Sequence, residues 1–180
     1  MIAFDLDDTL VETQIFLKPE LKSKLKIKQT DPQTWITVPG MSDEQVNKVL
    51  WECIEKVTKY KLLPQPGTKQ AVQKILDILN QNMHIVTARN TIVKTNTEKW
   101  SKHHFGSKTQ THFVGNKDKK NYLVKLGVKY WVDDRSDVIL ECCPVMKKVF
   151  VVNRPWNEHT ELPSNAVRIN HIKEIIPLIT

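Results

Sequence analysis

Apolar residues in this chain fall into two patterns: short runs that end on a polar or acidic side chain, and longer stretches in which they recur every three or four positions. The first run, residues 2 to 4, ends at Asp5, with Asp7, Asp8 and Thr9 close behind. HIVTAR, residues 84 to 89, is a second run and ends in Thr87; residues 111 to 114 form a third. KYWVDD, residues 129 to 134, ends in Asp133 and Asp134, and KKVFVV and AVRIN follow in the C-terminal part. Short apolar runs bounded by polar residues predict buried strands. The stretches between them predict helices over 68–80, 92–104, 118–126, 137–142 and 171–179. In the first of these Val72, Ile75, Leu76 and Leu79 share one face.

The alternation is interrupted once. Residues 12 to 16 start a helix or an exit strand, and residues 17 to 64 then carry Pro19, Pro32, Pro39, Pro64 and a lysine-rich stretch, with no strand-like run. Inside this segment Ser42 stands before Asp43 and Glu44 as a helix N-cap. Val46, Val49, Leu50, Cys53, Ile54 and Val57 recur at helical spacing after it. The segment reads as a small, mostly helical cap inserted after the first strand, with Trp35 and Trp51 as its large side chains. The core is then formed by residues 1–16 and 65–180.

Strands alternating with helices at this spacing predict an α/β fold, a Rossmann-like parallel sheet flanked by helices. No internal repeat competes with it. Right-handed crossovers place all strand C-termini at one edge, so Asp5, Thr87, Asp133 and Asp134 are expected to meet there although they are far apart in sequence.

Composition narrows the class. The 180 residues are 40% hydrophobic and 26% charged, which fits one globular domain with an insertion. No apolar run reaches the roughly 18 residues of a membrane span, and the chain enters its first strand directly from Met1, so no membrane and a cytoplasmic location are expected. Cys53, Cys142 and Cys143 have no metal-like spacing and read as reduced packing thiols. The net charge of +7 and the pI near 9.3 favour anionic partners, nucleic acid or phosphorylated small molecules. Most of that charge is scattered lysine, which fits a solvated surface better than a dedicated anion site.

The chemistry begins with two acids after a strand. Such a pair can simply cap a turn; with its strand-end companions it can also act. Asp5 is placed as nucleophile or metal ligand, and Asp7, just beyond the strand, as general acid/base. Asp5, Asp133 and Asp134 would form an all-oxygen cluster suited to Mg²⁺ rather than zinc. A phosphate drawn to it needs donors: the Thr87 hydroxyl, backbone N–H groups such as that of Ala88, and a lysine at 117, 119 or 120. The reaction this implies is phosphoryl transfer through a covalent intermediate.

DLDDTL, the Thr of HIVTAR, a lysine ahead of the last acidic strand, and VDDRSD, in that order, resemble the four motifs of the haloacid dehalogenase (HAD) superfamily in its phosphatase branch. The resemblance implies Asp5 as nucleophile, Asp7 as acid/base, Thr87 as phosphate ligand and Asp133 as metal ligand. The metal shell would be completed by Asp5 and the Asp7 carbonyl, and supported by Asp134 or Asp137. KKNYLVKLGVKYWVDD resembles a pattern in which the first lysine carries the role, which selects Lys119 over Lys117 and Lys120. The cap position, EKWSKHHF, the run from 119 to 134 and NRPWN are further similar to the 5'(3')-deoxyribonucleotidase family, which removes phosphate from nucleoside monophosphates. On that reading Phe16, Trp35 or Trp51 stacks on a base, with Trp35 foremost, although aromatics in a small helical insertion more often form the cap's own core. Arg89 contacts phosphate or ribose, or forms a structural ion pair. Arg135 pairs with Asp137 or a neighbour, and residues 153 to 157 lock a loop near the site.

Two other functions stand beside a small-molecule nucleotide phosphatase. VDDRSDV and the basic charge also resemble the phosphatase half of phage-type polynucleotide kinases, which act on a nucleic-acid end. A cap standing aside from the site would favour that reading, and a cap folded over it a mononucleotide. The other alternative is a silent phosphate-binding module, disfavoured because Asp5 and Asp7 are both present.

Overall fold

The computed structural model describes residues 1–25, 40–115 and 119–179. Its sheet is formed by β1 (Ile2–Phe4), β2 (His84–Thr87), β3 (Gln110–Phe113), β4 (Tyr130–Asp133), β5 (Lys148–Val152) and β6 (Ala166–Ile169). Every neighbouring pair is parallel, in the order β3-β2-β1-β4-β5-β6. The order runs outward to one side of β1 and then resumes on the other with β4. The crevice at this reversal lies beyond the C-terminal ends of β1 and β4, where doubly wound sheets take ligands. The Asp5 N–H donates to the Val132 carbonyl at 2.8 Å, so the chain leaves β1 still paired with β4.

The strands are buried on both faces, and their period of two divides the core. Ile2, Phe4, Ile85, Val132, Phe150 and Val152 face α3 (Thr68–Leu79), α4 (Lys94–Phe105) and the C-terminal Ile172–Leu178 segment. Ala3, Val86, Trp131, Val149 and Val151 face α5 (Lys119–Lys125) and α6 (Ser136–Cys142). Each fully buried side chain of the size of Phe4 or Ile85 contributes about 1.5–3 kcal/mol. All three cysteines are free and buried, and burial pushes the Cys142 thiol up to about 12, consistent with packing and not reactivity.

The remaining helices, α1 (Thr13–Leu25) and α2 (Asp43–Tyr60), pack together beside the C-terminal edge of the sheet. Leu17, Leu21 and Leu25 repeat every fourth residue along α1 and meet Val46, Cys53 and Ile54 of α2 in a separate apolar cluster. The Ser42 capping box starts α2: Gln45 N–H donates to Ser42 Oγ, and the Ser42 N–H to Gln45 Oε1. Glu20 of α1 accepts from Lys56 and Lys61 of the second helix and its exit, tying the pair together.

The structure adds detail to the sequence expectations in three places. α1 begins at Thr13 and continues through Pro19, so a single helix crosses the expected boundary between residues 16 and 17. The closing helix is present in 3-10 form: His171 and Glu174 cap its start, and Pro177 removes a donor within it. Phe16 points away from the cap cluster and packs against the main core. It lies one residue, about 100° of helix turn, from the Leu17 stripe, so it cannot share that face. Trp35 and Lys117 lie outside the described residues. Among the described residues no helix is long and apolar enough to cross a membrane.

Candidate active site

The turn after β1 is held in an unusual shape. Leu10 and Val11 N–H groups both return to the Leu6 carbonyl, making one tight turn, and Asp8 adopts a left-handed backbone with φ of 58°. Aspartate tolerates that region better than most side chains. Two contacts fix it there. Arg154 Nε donates to the Asp8 carbonyl at 2.7 Å, and Asp8 Oδ1 accepts from the Gln14 N–H at 3.1 Å, capping α1. Asp5 and Asp7 are thereby both directed to one cleft.

That cleft encloses about 580 Å³. Its floor is Asp5, Asp7, Ala88, Arg89, Lys119 and Asp134, all at or just beyond strand ends or at a helix start. Its roof comes from the two cap helices: Gln14 and Leu17 of α1, and Asn47, Leu50, Trp51 and Ile54 of α2. The cap helices therefore border the site, and Trp51, which also packs against the cap cluster, and Trp156, not Phe16, are its aromatic side chains among the described residues.

Lys119 joins the acids. Its Nζ lies 2.5 Å from Asp5 Oδ1 and 3.1 Å from Asp133 Oδ2, with all three side chains buried. Lys120, by contrast, does not line the cleft. Burial works against the Lys119 charge, but Asp133 and Asp5 outweigh it and hold its pKa above the ordinary lysine value.

The two aspartates of VDDRSD are used differently. Asp133 Oδ1 accepts from the backbone N–H groups of Asp134 (2.8 Å) and Arg135 (2.9 Å), and its Oδ2 is on Lys119, so its oxygens are largely spent. Asp134 lines the cleft. Thr9 Oγ1 donates to its Oδ1 at 3.0 Å and Trp156 Nε1 to its Oδ2 at 2.9 Å, which orients the carboxylate and leaves lone pairs on both oxygens. Asn157 then locks the loop: its Nδ2 reaches the Asp134 and Val152 carbonyls at 2.6 and 2.8 Å.

Asp5, Asp133 and Asp134 each offer an oxygen within 4.8 Å of the others. Burial drives Asp5 well above its ordinary pKa against the pull of Lys119. Burial also raises Asp134, aided by Asp133, to about 8. Three buried carboxylates with one ammonium are under-neutralised, and an all-oxygen donor set of this kind fits a hard divalent cation.

Asp7 is set apart from this group. Arg89 Nε and Nη2 donate to its two oxygens at 2.8 and 2.6 Å, and Thr13 Oγ1 to Oδ1 at 2.5 Å. Burial pushes the Asp7 carboxyl up, but the Arg89 charge and these hydrogen bonds prevail and hold it below the usual range. Arg89 Nη1 also donates to Thr58 of α2 (2.8 Å) and Thr97 of α4 (3.1 Å). Arg89 therefore forms an ion pair with Asp7 while also lining the cleft. Thr87 is buried, and its Oγ1 accepts from the Arg89 N–H at 3.2 Å, shaping the turn after β2. Asp137 is largely exposed and pairs with Arg135, outside the acidic cluster.

Gln14 and Thr58 line or support the site without a sequence signal of their own, and Trp156 lies in the 153–157 loop expected near it. A capped α1 start places Gln14, but nothing local in the sequence ties Thr58 to Arg89 or Trp156 to Asp134.

No protein-family model matches the chain. No curated protein matches it in sequence. Its fold is similar to that of a haloacid dehalogenase-like hydrolase from Streptococcus pneumoniae, at 13% identity and a TM-score of 0.71, covering 99% of this chain and 97% of that one. It is similar to CbbY from Rhodobacter sphaeroides in complex with phosphate, at 14% identity and a TM-score of 0.65, covering 97% and 95%. A HAD-superfamily hydrolase from Geobacter sulfurreducens gives 16% and 0.56, covering 99% and 95%. The α/β architecture of this chain is therefore the fold of solved HAD-superfamily hydrolases.

Proposed function

We propose that this protein is a Mg²⁺-dependent phosphomonoesterase that hydrolyses nucleoside monophosphates, deoxyribonucleotides foremost, through an aspartyl-phosphate on Asp5. The observation that carries the reading is the convergence of Asp5, Lys119 and Asp134 beside an independently held Asp7, at the floor of a cleft roofed by the cap.

Asp5 and Asp134, with the Asp7 carbonyl implied by the family resemblance, would hold the cation. Asp133, engaged by Lys119 and two backbone N–H groups, serves as its buried support. When bound, Mg²⁺ supplies charge neutralisation between a carboxylate nucleophile and a phosphate dianion. Lys119 contributes to the same screening from the Asp5 side.

An Asp5 oxygen attacks phosphorus, the ester P–O bond breaks, and its electron pair leaves with the alcohol oxygen, which takes the proton carried by Asp7. In the second half Asp7 removes a proton from water, the resulting oxygen attacks phosphorus, and the bond to Asp5 breaks to release phosphate. Arg89 favours the ionised form of Asp7, which suits the second half. A phosphate dianion beside Asp7 opposes that pull and favours the proton needed in the first.

The nucleotide assignment is supported by the apolar cap side of the cleft and by its two indoles, Trp51 and Trp156, which suit a planar base. The same cap residues favour a mononucleotide over a polymer end, because they line the cleft beside its catalytic groups. A related fold, CbbY, has been solved with xylulose-1,5-bisphosphate, so sugar phosphates are the proper competitors.

The test is phosphate release with Mg²⁺ from a panel of nucleotides and sugar phosphates, run beside Asp5→Asn. Nucleotide turnover that vanishes in the variant supports the reading. Turnover of sugar phosphates but no nucleotide removes the substrate, and an active Asp5→Asn removes the covalent route.

A further inference from the structure

Helix α2 buries Val46, Cys53, Ile54, Val57 and Thr58, and Thr58 is the one hydroxyl among them. A hydroxyl on a face that is otherwise apolar costs stability unless it is hydrogen-bonded. Its oxygen accepts from Arg89 Nη1 at 2.8 Å, so the polar position on this face stands opposite the cation that holds Asp7.

Nη1 carries two hydrogens, and the other reaches Thr97 Oγ1 at 3.1 Å. Thr97 is itself fixed, because its hydroxyl donates to the Val93 carbonyl at 2.9 Å. One acceptor on an NH₂ group leaves the guanidinium free to turn about that bond, whereas two define its plane. The other edge of the same plane, Nε and Nη2, holds both oxygens of Asp7. The guanidinium is rigid, so the plane set by Thr58 and Thr97 sets the rotation of the Asp7 carboxylate. Proton transfer depends steeply on that rotation, since a misplacement of about 1 Å costs on the order of a hundredfold in rate. The middle turns of α2 meanwhile line the cleft with Asn47, Leu50, Trp51 and Ile54. One cap helix thus borders the substrate space and reaches the proton-transfer group from its last turn.

We propose that Thr58 is a positioning residue that, through Arg89, aligns the Asp7 carboxylate for proton transfer to the leaving group and ties that alignment to the placement of α2 beside the cleft. The inference rests on the acid/base role proposed for Asp7 and adds the cap residue that acts on it.

The full-length protein with Mg²⁺ is assayed on thymidine 5'-monophosphate and deoxyribose 5-phosphate, whose leaving alcohols need a proton, and on p-nitrophenyl phosphate, whose leaving group needs little help. Thr58→Val keeps the shape and removes the acceptor. Its kcat/KM on whichever alkyl ester the wild type hydrolyses is expected to fall about tenfold, with a much smaller loss on the aryl ester. Thr58→Ser keeps the hydroxyl and is expected to restore most of the alkyl rate. A purely structural role would lower the melting temperature and slow alkyl and aryl esters alike. Equal losses on the two leaving groups, a wild-type alkyl rate in Thr58→Val, or a Thr58→Ser as slow as Thr58→Val overturns the proposal. Asp7→Asn separates it from the reading beneath it. A slow Asp7→Asn beside an unimpaired Thr58→Val removes the role of Thr58 alone. An Asp7→Asn as fast as the wild type on the alkyl ester, or a wild type that hydrolyses none of the three esters, removes both.

Discussion

Arg89 grips Asp7 with two parallel hydrogen bonds, Nε to Oδ2 at 2.8 Å and Nη2 to Oδ1 at 2.6 Å, and holds Thr58 of the cap and Thr97 of the core with its remaining nitrogen. Asp7 and the cap helix α2 thus share one buried cation. The fork of a guanidinium fixes both oxygens of a carboxylate, which one ammonium cannot do.

Arg89→Lys keeps the charge and loses the fork. Its kcat on an alkyl phosphate is expected to fall by about a hundredfold, within the range usual for general acid–base catalysis. An aryl phosphate, whose leaving group needs little protonation, should lose much less. Equal losses on the two leaving groups would show that Arg89 does not act through the proposed acid role of Asp7.

Lys119→Met leaves Asp5 and Asp133 buried with their counter-charge removed. Breaking such a pair from one side costs about 3–5 kcal/mol, part of which is recovered as a carboxyl takes up a proton. The melting temperature in metal-free buffer should drop, and added Mg²⁺ should raise that of the variant more than that of the wild type. An unchanged melting temperature in metal-free buffer would count against the buried ion cluster.

The legible parts of this molecule were those set by local pattern. The apolar runs marked β1, β2, β4 and β5, and a parallel sheet required their terminal residues Asp5, Thr87 and Asp133 to meet. The Ser42 cap and the spacing of Val46, Cys53 and Val57 marked α2 to within its ends. What depended on rotation or on distant partners was hidden. Without knowing that α1 starts at Thr13, nothing separates Phe16, which faces the core, from Leu17, which faces the cap. The choice between Asp133 and Asp134 as the cleft carboxylate turns on two backbone N–H groups and on Trp156, more than twenty residues away in the chain. The partner of Arg89 was open for the same reason, since Asp7 lies in another strand's loop.

Trp156 should tune the proposed cation site through Asp134. Its indole N–H fixes one oxygen of that carboxylate, and partners of this kind typically alter metal affinity by about 10–100-fold. Trp156→Phe keeps most of the ring and removes the donor. The Mg²⁺ concentration for half-maximal activity is expected to rise about tenfold, with saturating kcat less affected. A half-maximal concentration equal to that of the wild type would detach Trp156 from the metal site.

The cap hairpin carries its own acid sensitivity in Glu20. The hydrogen bonds from Lys56 and Lys61, at 2.6 and 2.5 Å, pull the Glu20 pKa from its ordinary value down to about 2. Because the folded value lies below the unfolded one, the stabilisation is complete above the ordinary glutamate range. It is lost as the pH falls from there toward 2. The pairs are also open to solvent on the lysine side, so salt should weaken them. Glu20→Gln should therefore lower the melting temperature at neutral pH and low salt, and the gap to the wild type should narrow on acidification or in high salt. Amide exchange in α1 and α2 should report the same change locally, with faster opening in the variant at neutral pH. A gap that stays constant from neutral to strongly acidic conditions would mean that Glu20 stabilises the hairpin by packing and not by its charge.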